Sequence, residues 1–194
     1  MPPLDTNTAI LLMSALNLCV GIATFLFVEN NNKIGTHWSF TLVFFGIAGI
    51  LIFFRDFLPP WFANVFANML VGVSVALTHR GTWLMVGKPP PDLTYLMAVL
   101  ILGAVFYQFT YSTPNIAFRI SAVSLFRVPF FVSAILALRH SPSFRQLRGT
   151  KALICLLLIG VCWYLLRGFI TFSSEEMAVL FRTGPMQSGA RQRF

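Results

Sequence analysis

The stretch FRISAVSLFRVPFF, residues 118–131, sets two arginines, Arg119 and Arg127, into a run that otherwise holds only apolar residues, two serines and a proline. No Asp or Glu occurs anywhere between Asp92 and Glu175. Whether two permanent positive charges are tolerable there depends on the solvent around them, and composition identifies it. Of 194 residues, 57% are hydrophobic and 10% charged, with 21 Phe and a mean hydropathy of +0.76. Soluble domains carry roughly 25% charged residues, so this chain cannot build a water-facing surface. Apolar runs of about 17 to 23 residues recur along it, enough to cross a hydrocarbon core of about 30 Å at 1.5 Å per residue.

Working outward from that stretch gives six spans. The fifth runs from Ile116 to Leu138, and the fourth from about Leu93 to Phe109. The third starts near Trp61, after the helix-breaking pair Pro59 and Pro60. It reaches about Leu77, with a possible extension through THRGTWLMVG. The second runs from about Trp38 to Phe54. The first runs from about Thr8 to Val28, with Asp5, Thr6 and Asn7 as cap candidates, and the sixth from about Ala152 to Phe172. MPPLDTNT lacks a basic n-region, so the first span reads as a retained helix. The expectation is an all-α polytopic transmembrane helix bundle over residues 1–172, followed by a polar C-terminal tail over 173–194.

The net charge of +8 raises the question of nucleic acid, but much of the excess lies between the apolar spans, where the positive-inside bias accounts for it. With the N-terminus outside, Lys33, Arg80, Lys88, Arg139, Arg145, Arg148 and Lys151 fall on the cytoplasmic side. Arg55, Arg182, Arg191 and Arg193 fall on the outer side. The basic end GARQRF would then be outside, where it suits poorly unless a seventh helix follows. Cys19, Cys155 and Cys162 lie in apolar spans without CxxC spacing and read as small apolar side chains.

Arg127 is the residue of interest, because it lies about 16 Å from either end of its span and cannot snorkel to water. On insertion scales it costs roughly 2.5–3.5 kcal/mol there. Arg119, one turn from the outer end, and Arg167 in the sixth helix can snorkel. Arg119 and Arg127 are about 80° apart on the helical wheel, near Ser124. Asn17, Asn64, Asn68 and Gln108 are further polar residues in the spans, with Tyr107 and Tyr111 beside the last. All lie in the outer half or at the midplane, and the cytoplasmic half reads as more uniformly apolar.

These residues support two readings. In one, Arg119, Arg127, Gln108, Asn64, Asn68 and Asn17 line an outward-facing polar cup for a small ligand, anions included. In the other they hold helices together through one another and backbone carbonyls. Arg127 is expected to face the bundle interior, met by Asn17, Asn68, Ser124 or Gln108, by water or by an anion. Asn64 and Asn68 are expected to face inward together. A proton relay lacks an intramembrane acid, and no HExxH, GxSxG, P-loop or GxGxxG pattern occurs, so no enzyme, metal or cofactor is expected. His37, His79 and His140 read as isolated residues near the membrane surfaces. Glu175 and Glu176 read as the solvated start of the tail.

The segments LDTNTAILLMSALN, FFRDFLPPWFANVFANML, GKPPP, the arginine near the start of helix five and GPMQ together resemble the membrane-embedded N-terminal sensor module of bacterial GGDEF-type diguanylate cyclases. The resemblance implies a seven-helix module lacking its last helix, in the bacterial inner membrane, with its cytoplasmic output domain absent. No GG[DE]EF signature is present, so no cyclase activity is implied. The expected function is a sensory or signalling module without a catalytic domain, working as a homodimer or with other membrane subunits. The alternative is a structural or assembly subunit of a larger membrane complex. Such a subunit would show a second, small-residue face for its partner, for which GIAG at Gly46–Gly49 and Gly72 with Ser74 and Ala76 are candidates. A transporter is a third option, weakened by the lack of a visible inverted repeat.

Overall fold

The computed structural model describes residues 6–28, 32–142 and 148–173. All regular structure among them is helical, and six helices are long and apolar enough to cross a membrane. We number them α1 (Thr6–Phe27), α2 (Lys33–Phe53), α3 (Trp61–Met85), α4 (Asp92–Ser112), α5 (Ile116–His140) and α6 (Arg148–Ser173). This is the architecture of a multi-pass membrane protein. The tail beyond Ser173, with its GPMQ element and its glutamates, lies outside the described residues.

The helix boundaries follow from local chemistry. The Asn32 side chain accepts from the Gly35 amide at 3.0 Å, so α2 begins five residues before the apolar run at Trp38. At α5 the Asn115 side chain accepts from the Phe118 amide at 3.1 Å. Each asparagine satisfies one of the orphan donors of a first helical turn. The third helix takes the longer of its two expected extents. It ends at Met85, where the Lys88 amide donates to Trp83 O and the Gly87 amide to Leu84 O. That paired closure needs a left-handed residue, and Gly87 has φ of 74°. Pro89, Pro90 and Pro91 then carry the chain to α4.

The helices neighbour one another in the order α1, α2, α3, α5, α6, with α4 packed behind α3 and α5. The central α3 has the largest buried share, whereas α1 and α6, at the two ends of the row, expose most of their apolar surface. In a bilayer that surface is the lipid face. The core beside α3 joins Ala48, Val65, Leu70, Val71, Leu102, Phe106 and Val123. A second cluster of Ala134, Ile135, Leu138 and Leu157 seals α5 against α6.

Small residues set the closest helix contacts. A Cβ on Gly46 would lie 2.6 Å from Leu18 Cγ and 2.9 Å from Ser14 O, and one on Gly49 would lie 2.0 Å from Ser14 Oγ. Gly72 faces Leu102 and Val99 of α4, and Ser74 and Ala76 are buried. The candidates for a partner-facing surface are therefore used inside the bundle, between α1 and α2 and around α3.

Candidate functional site

Arg127 is buried, with 7% of its surface exposed. Its guanidinium lies 4.5 Å from the Tyr164 ring centre and 5.7 Å from that of Phe45, and its Nη1 donates to the Tyr164 hydroxyl. A cation over aromatic faces gains about 2 kcal/mol or more when desolvated, comparable with the insertion cost of the arginine. The expected partners are corrected accordingly: two aromatic side chains from α2 and α6 meet Arg127, and no hydrogen bond joins it to Asn17, Asn68, Ser124 or Gln108.

Those residues are satisfied locally or stand apart. The Asn17 amide donates to Met13 O at 2.7 Å, the Asn68 amide to Asn64 O at 2.6 Å and the Ser124 hydroxyl to Ile120 O at 2.9 Å. Each bond stays within one helix. Asn64 and Asn68 are half-buried and Gln108 is exposed. Arg119 diverges from Arg127 by the 80° read from the wheel, and its Nη1 lies 3.5 Å from Thr110 Oγ1 at the end of α4. The six expected cup residues are thus not assembled into one hydrogen-bonded site.

What is assembled is a seam between α5 and α6. Ser121 Oγ donates to Gly168 O at 3.4 Å, and Gly168 gives a close approach to Ser124. Tyr164, Arg167 and Thr171 follow at spacings of three and four, so they share one stripe of α6. Arg127 has no carboxylate partner among the described residues, where the sole ion pair is Arg80 with Asp92. Arg127 Nε and Arg119 Nε are buried without an acceptor. Arg127 therefore brings to the seam a permanent charge and a donor without an acceptor, both of which an anion would meet.

At the opposite end of the bundle lies a second polar group, and here the expectation of a uniformly apolar half is overturned. Arg80 of α3 donates from Nε to Asp92 Oδ1 at 2.8 Å and from Nη2 to Oδ2 at 3.1 Å, while its Nη1 meets His37 Nε2 of α2. His37 Nδ1 lies 2.6 Å from Lys33 O, which fixes the proton on Nδ1 and leaves Nε2 to accept. His79, expected near the surface, is buried at 4% exposure, with Nδ1 2.7 Å from the Tyr95 hydroxyl and its ring against Trp83 and Phe130. Thr78 and Thr41 add a hydroxyl contact of 3.3 Å between α3 and α2. Asp92, placed in the connector by the apolar pattern, is the first residue of α4. The pairs His37–Arg80, Thr41–Thr78 and His79–Tyr95 join α3 to α2 and α4, a juxtaposition that no single-helix pattern displays.

An apolar furrow of about 400 Å³ runs along Leu158, Ile159, Cys162, Trp163 and Leu166. These residues occupy the side of α6 opposite Tyr164, so the furrow faces away from the arginine seam. No protein-family model matches the chain, and comparison with curated proteins and with solved structures gives no match either.

Proposed function

We propose that the chain is a membrane-embedded sensory module that binds an anionic ligand at the α5–α6 seam and has no catalytic role of its own. The observation that carries this reading is the guanidinium of Arg127, buried at mid-span with its Nε lacking an acceptor. A guanidinium at that depth keeps its charge at a cost, and a bound anion offsets that cost by direct attraction. The extended packing of α6 is with α5, so a change at the seam shifts α6 with little resistance from the other helices. The resemblance to cyclase sensor modules supplies the sensory part of the reading. It also supplies the setting, a bacterial inner membrane with the N-terminus outside, and a homodimer or a partner membrane subunit to receive the signal. The rival reading, a structural subunit, draws less support because the Gly46, Gly49 and Gly72 faces are occupied within the chain.

Thermal melts of the purified chain and of Arg127→Leu and Arg127→Lys, each with and without phosphate and carboxylate anions, test this reading. An anion is expected to raise the melting temperature of the parent chain, less that of Arg127→Lys, and not at all that of Arg127→Leu. If Arg127→Leu is as stable as the parent or more so, and no anion stabilises either, Arg127 is a packing residue and the sensory reading fails.

A further inference from the structure

The contacts of His37 fix where its protons lie. Its Nδ1 is 2.6 Å from Lys33 O, and a carbonyl only accepts, so Nδ1 carries a proton. Its Nε2 meets Nη1 of Arg80, and a guanidinium only donates, so Nε2 presents its lone pair. Both nitrogens are committed, and the ring in this arrangement is neutral. The remaining donors of Arg80, Nε and Nη2, hold the two oxygens of Asp92 at 2.8 and 3.1 Å. One guanidinium therefore joins α2, α3 and α4. His37 is half-buried and stands one residue before the apolar run that begins at Trp38, so water and protons reach it.

We propose that this cluster is a proton-operated clasp: a proton taken up at His37 Nε2 releases α2 from Arg80, and the α2–α3 seam opens at that end. The device is separate from the anion site read at Arg127. A protonated imidazole donates from both nitrogens and accepts at neither, so Nε2 would set an N–H against an N–H of Arg80 and a second positive charge beside the first. The surrounding groups do not remove that conflict. On its own helix the neighbour one turn away is Lys33, another cation, and on α3 it is Arg80 itself. On α4, both oxygens of Asp92 are engaged by Arg80, and Tyr95 turns its hydroxyl to His79. The described residues of α1, which packs on α2, include no Asp, Glu, Lys, Arg or His. A proton on His37 therefore competes with Arg80 for Asp92, and the tie between α3 and α4 weakens with it. The opening stops one turn deeper, where Thr41 Oγ1 lies 3.3 Å from Ser74 O and 3.3 Å from Thr78 Oγ1, contacts that do not titrate. The closed clasp holds fewer protons at His37 than the open one, so it is favoured at high pH and lost as pH falls.

The test uses the full chain in phosphatidylcholine nanodiscs at about pH 8 and pH 5.5, which bracket the range in which imidazoles change charge. His37→Gln keeps an acceptor for Arg80 and does not titrate, and His79 and His140 are common to both chains. The melting temperature of the parent is expected to fall between the two pH values by about 3 °C or more beyond any fall in His37→Gln. Equal falls in the two chains overturn the proposal. Because His37→Gln can fail to fold, the opening is also measured with His37 in place. Spin labels on Lys33→Cys and Lys88→Cys, in a chain whose Cys19, Cys155 and Cys162 are replaced by alanine, report the separation of the start of α2 from the end of α3. That separation is expected to lengthen or broaden at pH 5.5, and a distribution unchanged from pH 8 overturns the proposal.

Discussion

At the scale of single residues, the chain shows how a guanidinium is accommodated when no carboxylate is available. Arg127 uses two aromatic faces and one hydroxyl, and Tyr164 supplies both kinds of contact. Tyr164→Phe separates them, since it keeps the ring and removes the acceptor. A donor of a buried charged group left unpaired costs about 1–3 kcal/mol, so Tyr164→Phe is expected to lower the melting temperature clearly in the absence of ligand. A melting temperature equal to that of the parent would mean that the ring alone holds Arg127. By contrast, Arg80 and Asp92 form a two-pronged ion pair with side chains 29% and 62% exposed. At that exposure the pair contributes about 0–1 kcal/mol, and its main consequence is geometric, since it ties the end of α3 to the start of α4 across the proline connector.

At the scale of helices, α1 depends on a few close approaches. Among the described residues its extended packing is with α2, and Gly46 and Gly49 let the two backbones approach without an intervening side chain. At Gly46 the nearest backbone atom to an added Cβ is Ser14 O, at 2.9 Å, and backbone cannot rotate aside as Ser14 Oγ could at Gly49. Gly46→Ala is therefore expected to push α1 outward and to cost roughly 1–3 kcal/mol, the usual range for overpacking. Proteolysis in detergent should then release the α1 segment faster than in the parent chain. Equal cleavage rates would show that α1 tolerates the displacement. The spacing of Tyr164, Arg167 and Thr171 puts them on one side of α6, but which helix that side meets depends on the order of packing.

For the whole molecule, six spans put Lys33, Lys88 and His140 at one end of the bundle and Asn115 at the other. The excess of Lys and Arg at the first end predicts that it faces the cytoplasm. Lys88→Cys, exposed in the α3–α4 connector, and Thr113→Cys, exposed between α4 and α5, measure this with a membrane-impermeant maleimide. Label added from outside intact cells is expected to reach Thr113→Cys and not Lys88→Cys, and the opposite pattern would invert the topology. Cys19, Cys155 and Cys162 are exposed along helix faces, so the parent chain gives the background.

The sequence by itself determined the class of protein and the number and approximate limits of its helices. Burying some twenty apolar residues in lipid is a property of each segment alone, independent of its neighbours. It also determined that Arg127 must face inward, since the cost of a mid-span guanidinium in hydrocarbon follows from depth. Only the tertiary structure decided what meets it. Asn17, Asn68 and Gln108 were reasonable partners by polarity, but an amide can bond the carbonyl of its own preceding turn, as Asn17 and Asn68 do, and so needs no neighbouring helix. His79 was likewise assigned to the surface from its place near a helix end, and became a buried residue because α4 and α5 bring Tyr95 and Phe130 over it. In lipid every helix is apolar on most sides, so the hydrophobic pattern that orients a soluble helix is weak here. Which side of a helix turns inward is settled instead by the fit of small residues, rings and a few polar atoms between neighbours.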